Sequence, residues 1–412
     1  MNNEINMREF QYTLPEERIA KFPIKKRDES KLLIYKDGHI KEEIFKNIAS
    51  ALPQSSLLIF NNTKVIRARL IFLNEHGAQI EIFCLEPFEN IPTEIAMQKT
   101  HQCAWICSVG NLKKWKEETL TISTNNITLK ANKSTHAAQD GFVIILSWDN
   151  EKTFAEILES LGKIPLPPYL KRNEEEADKS TYQTVYAEVS GSVAAPTAGL
   201  HFTENVLNDL KQRGHQLANT TLHVGAGTFK PVKSDNLTEH HMHHEEIIVT
   251  KEFLIKIANY NGLLIAVGTT SLRTLESIYW LSHLIIDKEL KPHGDFYYLS
   301  QWAAYGLQKD HGITFKQSCL RLLKFFEAHN INFIKAKTQI IISPGYRINS
   351  IDAIITNFHQ PGSTLLVLIS TLIGEHWKDV YNYALENNYR FLSYGDSSLL
   401  FNPHYSFKIS NE

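Results

Sequence analysis

The sequence is short of several things, and each shortage excludes something. Its 412 residues hold only four cysteines, Cys84, Cys103, Cys107 and Cys319, with no CxxC pair. That leaves no disulfide framework and no paired-cysteine metal motif. Charge of one sign is also lacking: 43 Lys and Arg stand against 45 Asp and Glu, for a net charge of −2. No global positive field draws the chain to nucleic acid, so any RNA contact has to come from local patches. Long apolar runs are missing too. The longest, Leu365 to Ile373, falls far short of the ~20 residues that cross a bilayer. The opening stretch MNNEINMREFQYTLPEERIA has no apolar h-region, so no signal peptide is expected. With 43% hydrophobic and 21% charged residues the composition is globular, and the length suits two or three domains. The expected setting is a reducing cytoplasm, with no membrane contact.

What the chain does have is concentrated between Ser190 and Phe229. Two loops rich in Gly, Ala and Thr, GSVAAPTAGLHF and HVGAGTF, flank a helix and a strand. The helix is predicted over Thr203 to Arg213, with Thr203 as N-cap, Val206, Leu207 and Leu210 on one face, and Gly214 at the C-cap. The strand is predicted over Leu217 to Val224. Small residues at Gly225 and Gly227 let a ligand approach the backbone closely.

The rest divides into two kinds of pattern. Residues 1 to about 71 begin with a short helix at Pro15, then a strand KLLIY (31–35). LLIFNNTKVIRARLIFL (57–73) follows, predicted as strand, Asn-Asn turn and strand. Its cations Lys64, Arg67 and Arg69 suit either a phosphate contact or a solvated edge. Residues 72–150 carry short alternating runs at 78–85, 103–109, 118–131 and 141–148, which predict an inserted small all-β barrel or sandwich. A helix is expected over 151–162. The prolines of KIPLPPYLKR (163–172) forbid helix and central strand. They present Tyr169, Lys171 and Arg172 as a base-stacking ledge, or they form a rigid linker.

From residue 151 onward, apolar strands alternate with helical patterns. LLIAVGTTSLRTLESIYW (263–280) is a strand, then Thr269, Thr270 and Ser271, then a helix from about Leu272. Such a helix start suits an anion or ribose, or is an ordinary N-cap. IDAIITNFHQPGST (351–364) is a strand ending in Asn357 and His359. YRFLSYGDSSLL (389–400) is taken as a strand ending in Tyr394-Gly395-Asp396. Residues 281–336 look irregular, with a helix over Phe315 to His329. The fold class is therefore α/β: a largely parallel sheet over 1–71 and 151–412, with the 72–150 unit inserted. HVGAGTF, GTTS, TNFH and YGDSS would all lie beyond strand carboxyl ends, where such sheets bind ligands. One pocket would collect His223, Thr228, Thr269, Thr270, Arg273, Asn357, His359, Tyr394 and Asp396.

EHHMHHEE (239–246) offers four histidines. A metal-dependent hydrolase built on His240 to Glu245 is one reading. The spacing is not HExxH, however, and neighbouring histidines on a strand face opposite ways. Acid–base work by one of these histidines, oriented by Glu245, is the competing one.

Ten blocks in order then resemble the S-adenosylmethionine:tRNA ribosyltransferase-isomerase family of queuosine biosynthesis. They are LPEERIAKFP (14–23), FNNTKVIRARL (60–70), IPLPPY (164–169), YQTVYAEVSGSVAAPTAGLHF (182–202), TLHVGAGTF (221–229), EHHMHHE (239–245), AVGTTSLRTLES (266–277), SPGY (343–346), TNFHQPGSTL (356–365) and RFLSYGD (390–396). Lys31 and Lys64 depart from the family's usual arginines. The resemblance implies an α/β main domain with an inserted small β-barrel. It implies transfer and isomerisation of the ribosyl part of S-adenosylmethionine onto 7-aminomethyl-7-deazaguanine at a tRNA wobble position. The products are epoxyqueuosine-tRNA, adenine and methionine. S-adenosylmethionine is a co-substrate; no cofactor and no metal are implied, and a monomer is expected. Proton transfer would fall to His223, His243 and His359, with Glu245 or Asp396 as carboxylates. Thr197, His201, Gly225, Gly227, Thr228, Phe229, Ser271, Asn357 and Tyr394 would contact substrate. Thr269, Thr270 and Arg273 would hold the methionine carboxylate or a phosphate. Lys64, Arg67, Arg69, Tyr169, Lys171 and Arg172 would meet tRNA. A tRNA-binding paralogue without catalysis is the remaining alternative.

Overall fold

The structure, a computed structural model, describes residues 4–403 except 125, 139–140, 226, 228–231, 233 and 309–311. Thr228 and Phe229 therefore lie outside the described residues.

The apolar runs become strands with both faces covered. Leu33, Tyr35, Leu57, Ile59, Ala266 and Ile354 enter one core. Their neighbours Leu32, Ile34, Leu58, Phe60, Ile265, Val267 and Ile355 enter another. Successive side chains on a strand point to opposite faces, so a continuous apolar run belongs in the middle layer of three. These strands lie in a ten-stranded sheet. Its order is Phe296–Leu299, Phe333–Thr338, Glu245–Thr250, Gln216–His223, Ser56–Asn61, Leu263–Val267, Ala353–Asn357, Ser397–Phe401, Lys31–Lys36, His39–Ile44.

The central four strands, Gln216–His223 through Ala353–Asn357, are parallel neighbours. Outside them the expectation of a largely parallel sheet needs correction, because the sheet is mixed. Ser397–Phe401 runs against Ala353–Asn357, and Glu245–Thr250 runs against both of its neighbours. The reason lies in residues 390–396. Asp396 accepts from the backbone N–H groups of Arg390 at 2.7 Å and Lys31 at 3.0 Å, which ties a tight turn. The Tyr394-Gly395-Asp396 loop thus precedes its strand instead of ending one. It still lies at the carboxyl end of the parallel block, since Asn357 is the register partner of Ser397.

A second sheet has six antiparallel strands in the order Arg69–Leu73, Gln79–Pro87, Gln102–Gly110, Gly141–Trp148, Thr128–Ala138, Thr119–Ser123. Its edge strands approach each other, so it nearly closes into a barrel. Ile80, Ile82, Cys84, Trp105, Leu129 and Leu146 fill it, and Phe154, Ile157 and Leu158 of the helix Phe154–Leu161 join the same core. The Asn61-Asn62 pair is not a hairpin turn. Asn61 ends its strand in the large sheet, and Thr63–Val65 pairs separately with Val189–Ser192.

The helix after GSVAAPTAGLHF spans Glu204–Gln212, capped by Thr203, whose hydroxyl accepts from Val206 N at 3.3 Å. Gly214 follows in the left-handed region at φ 83°. Much of the described part of 281–336 is regular, contrary to expectation. They complete the long helix Thr269–Asp287 and contribute the helix Phe315–His329 and two strands at the sheet edge. This layer explains why the long helix is buried at nearly every position and shows no clean amphipathic stripe. Among the described residues no helix is long and apolar enough to cross a membrane.

Candidate active site

Three of the predicted loops meet at the carboxyl end of the parallel strands. Leu263–Val267 ends at Gly268, whose φ of 91° suits only glycine, and the long helix starts at once at Thr269 rather than near Leu272. Ala353–Asn357 ends in Asn357 and His359, and Ser363 then caps the helix Thr364–Ile373. Pro196 and Thr197 arrive from the small-residue loop before the helix at 204. Together Thr197, Thr269, Thr270, Asn357 and His359 line a cavity of about 90 Å³, with Tyr169, Ser363 and Ser393. Of these, Thr269, Thr270, Asn357 and His359 are the residues expected in one pocket.

Its polar side chains are fixed. Asn357 Oδ1 accepts from Thr197 Oγ1 at 2.9 Å, and Asn357 Nδ2 meets His201 Nε2 at 3.3 Å. The other nitrogen of His201 pairs with Ser30 Oγ at 2.9 Å. His359 Nε2 pairs with Thr356 Oγ1 at 3.1 Å, while its backbone N–H donates to Tyr381 at 3.0 Å and its carbonyl accepts from Tyr12. Burial pulls both imidazoles down, to about 3, so both are neutral near pH 7.

A cleft of about 840 Å³ adjoins this cavity. Val224 and Tyr169 line the cavity, and their chain neighbours Gly225 and Pro168 line the cleft. Arg69 and Phe142 come from the small sheet, Lys171 and Arg172 from the proline-rich segment, and His241 to His244 from the histidine run. His243 lies over Gly227 so closely that a Cβ there would stand 2.2 Å from His243 Cδ2.

Other predicted residues line neither space. His223 pairs through Nδ1 with Thr63 Oγ1 at 3.1 Å, its Nε2 is buried without a partner among the described residues, and burial lowers its pKa. Gly191 makes room for the ring: a Cβ there would stand 2.8 Å from His223 Cε1. Arg273 binds Glu245 and the carbonyl of Ile340, so its charge is held inside the protein and not in the cavity. Ser271 Oγ donates to Val267 O at 2.8 Å. Tyr394 donates to Asp178 at 2.9 Å, and Asp396 is occupied by the two backbone N–H groups described above.

The proposed tRNA contacts divide in the same way. Arg67 pairs with Glu159 at 2.6 Å, Arg69 with Glu81 at 2.6 Å, and Lys171 with Glu16 at 3.1 Å. Arg172 forms a two-pronged pair with buried Asp178, both contacts at 2.7 Å. Lys64 is exposed and makes no ion pair among the described residues. Tyr169 is half-buried, and its hydroxyl bonds Ser393.

The family model described as Queuosine biosynthesis protein matches residues 7–400. The chain belongs to that family. A curated relative from Sulfurihydrogenibium sp. (strain YO3AOP1), named S-adenosylmethionine:tRNA ribosyltransferase-isomerase, is 37% identical over 412 residues, covering 96% of this chain and 100% of the relative. A crystal structure of S-adenosylmethionine tRNA ribosyltransferase from Thermotoga maritima matches at 26% identity with a TM-score of 0.45, covering 95% of this chain and 100% of that one.

This member of the queuosine biosynthesis family holds its histidine run with two glutamines that sequence reasoning missed. Residues 240–244 are irregular, and the strand begins only at Glu245. Gln301 accepts from Met242 N at 2.9 Å and donates to His240 O at 2.7 Å, and Gln339 donates to Met242 O at 2.7 Å. No local pattern marks these glutamines, because their partners are distant backbone groups. Among the described residues no three His, Cys, Asp or Glu side chains group as a metal site.

Proposed function

We propose that the chain is an S-adenosylmethionine:tRNA ribosyltransferase-isomerase acting on tRNA that carries 7-aminomethyl-7-deazaguanine. The observation that carries this reading beyond family membership is the adjoining pair of spaces. A small cavity at the strand ends, with no charged residue among its described lining, opens beside a larger cleft edged by Arg69, Lys171 and Arg172, with Glu81 and Glu86 among them, and by a histidine run. One space suits a small polar ligand, and the other suits part of a nucleic acid.

The reaction transfers and isomerises the ribosyl unit of S-adenosylmethionine, releasing adenine and methionine and leaving epoxyqueuosine on tRNA. The sulfonium acidifies the neighbouring ribose 5′ protons, so a base can remove one; adenine leaves best when protonated; the acceptor amine attacks when neutral. His359, neutral at the cavity wall, and His243, at the cleft, are the proton-transfer candidates. His223 backs the loop at Gly191 and acts on position, as do Glu245 and Asp396 through the backbone and side chains they hold. Thr197, Asn357, Gly225 and Gly227 shape the substrate spaces. Lys64 and the cleft cations face the RNA. The 72–150 segment forms an inserted unit that supplies one wall of the cleft. The enzyme is read as a cytoplasmic monomer that needs no cofactor.

The test is release of free adenine from S-adenosylmethionine, measured with tRNA that carries the 7-aminomethyl-7-deazaguanine and with tRNA that lacks it. Release that requires the modified base is the expected result. No release with either tRNA sinks the reading.

A further inference from the structure

We propose that the small cavity is a carboxylate site, seating the α-carboxylate of S-adenosylmethionine where two helix N-termini converge. The inference rests on the donor assigned above and says which end of it enters the cavity.

The long helix Thr269–Asp287 and the helix Thr364–Ile373 begin at the same cavity: Gly268, Thr269 and Thr270 line it from one, Ser363 and Leu365 from the other. First-turn N–H groups of a helix have no acceptor within the helix, and the aligned peptide dipoles place positive potential there. Gly268 has no side chain to cap the long helix. The Ser363 hydroxyl accepts from Leu366 N, which leaves the N–H groups of Thr364 and Leu365 uncapped by it. An anion at this point meets donors from two directions.

Thr270 supplies the independent sign of a ligand. It is 9% exposed, it lines the cavity, and its Oγ1 has no hydrogen-bond partner among the described residues. A buried hydroxyl without a partner is costly unless something else bonds it. The oxygen sits at the helix mouth, 3.5 Å from where a Cβ on Gly268 would stand. Among the described lining residues there is no Lys, Arg, Asp or Glu. The helix ends therefore act unopposed. No cation already binds the incoming anion, and Arg273 is engaged by Glu245.

Two anions fit this chemistry: the amino-acid carboxylate of the donor and a phosphate of the RNA. The enclosure favours the carboxylate, since about 90 Å³ bounded by Tyr169, Phe358 and Leu392 admits a small head group and no length of backbone.

The experiment measures adenine release by the full chain at saturating modified tRNA, with S-adenosylmethionine or its decarboxylated analogue as donor. The wild type is compared with Thr270→Val, which removes the hydroxyl and keeps the shape. The wild type is expected to show a KM about tenfold higher or more for the decarboxylated donor. T270V is expected to raise KM for S-adenosylmethionine about tenfold while leaving KM for the decarboxylated donor nearly unchanged. Equal KM values for the two donors on the wild type overturn the proposal with no variant needed. A T270V enzyme that keeps its KM for S-adenosylmethionine but binds tRNA more weakly, with a flatter salt dependence, assigns the cavity to phosphate and also overturns it. If the wild type releases no adenine at all, the ribosyl-transfer reading fails separately. Calorimetry with methionine then tests the cavity alone: binding that T270V abolishes supports the carboxylate site, and no binding overturns it.

Discussion

Arg273 and Glu245 form an ion pair sealed inside the protein, with side chains 7% and 4% exposed. Arg273 comes from the first turns of the long helix and Glu245 from the strand that follows the histidine run. The pair therefore ties the helix at one cavity to the loop at the other. Removing one partner leaves a buried charge uncompensated. Glu245→Ala is expected to destabilise the fold by about 3–5 kcal/mol. Replacing both residues by apolar ones of similar size should restore most of that. Denaturant unfolding of the single and double variants is the check, and a single variant as stable as the wild type would refute it.

Acid should weaken the protein through His201 and His359. Both are held neutral by burial at pKa values of about 3, against 6.5 when exposed. Between those values the unfolded chain binds protons that the folded one refuses. The contribution is whole above about 6.5 and falls as pH drops, by about 1.4 kcal/mol per pH unit for each imidazole. Buried Glu276 and Asp396, with raised pKa values, act in the opposite sense as pH rises. The informative quantity is thus a difference. The stability of His201→Asn is expected to fall less steeply than that of the wild type between pH 6 and pH 4, and parallel curves would count against it.

Lys64 and Arg172 should part company on mutation. Lys64 is exposed on the short strand Thr63–Val65. Lys64→Ala is expected to leave the melting temperature alone, weaken tRNA binding, and reduce the salt slope by roughly 0.7–0.9, one phosphate contact. Arg172 is clamped by Asp178 and lies 4.2 Å from the Phe22 ring centre. Arg172→Ala is expected to lower the melting temperature by several degrees besides any effect on RNA. Binding titrations at two or more salt concentrations, beside thermal melts, decide both.

Gly227 and Gly225 offer a contrast within one loop. A methyl on Gly227 collides with His243, whereas one on Gly225 meets nothing within 4 Å among the described residues. Gly227→Ala is expected to lower kcat about tenfold by displacing the imidazole, a loss of ~1.4 kcal/mol in transition-state stabilisation. Gly225→Ala should lose far less. Similar turnover in the two variants would remove His243 from the chemistry.

Much of this architecture was legible because the governing forces are local. Thr203 and Gly214 bracket their helix as their cap chemistry requires, and the alternating runs between 78 and 148 are the strands of the barrel-like sheet. Of the residues the carboxyl-end argument gathered, Thr269, Thr270, Asn357 and His359 lie around one cavity. It failed where partners are distant. Arg273 looked free because nothing near it in sequence announces Glu245. Asp396 looked reactive because its backbone donors come from Arg390 and Lys31. The stretch before Tyr394-Gly395-Asp396 reads as a strand because YRFLSY is as apolar as one, while a carboxylate-tied turn takes its place and the strand follows at Ser397–Phe401. Residues 281–336 looked irregular because they form an outer layer over a helix whose own pattern is apolar on nearly every side.

The strand Lys31–Lys36 sits between His39–Ile44 and Ser397–Phe401. The carboxylate of Asp396, 365 residues along the chain, closes the join at Lys31. On the ribosome, the strand at 31–36 waits for one made some 365 residues later. Until Ser397–Phe401 emerges, the edge at Lys31–Lys36 is an unpaired template carrying Leu32, Leu33 and Ile34, open to strands of other chains. Loop closure over such a separation also slows the search for the native pairing. Nascent chains of this protein should therefore need chaperone shelter until Ser397–Phe401 has emerged, and fragments ending before residue 397 should aggregate.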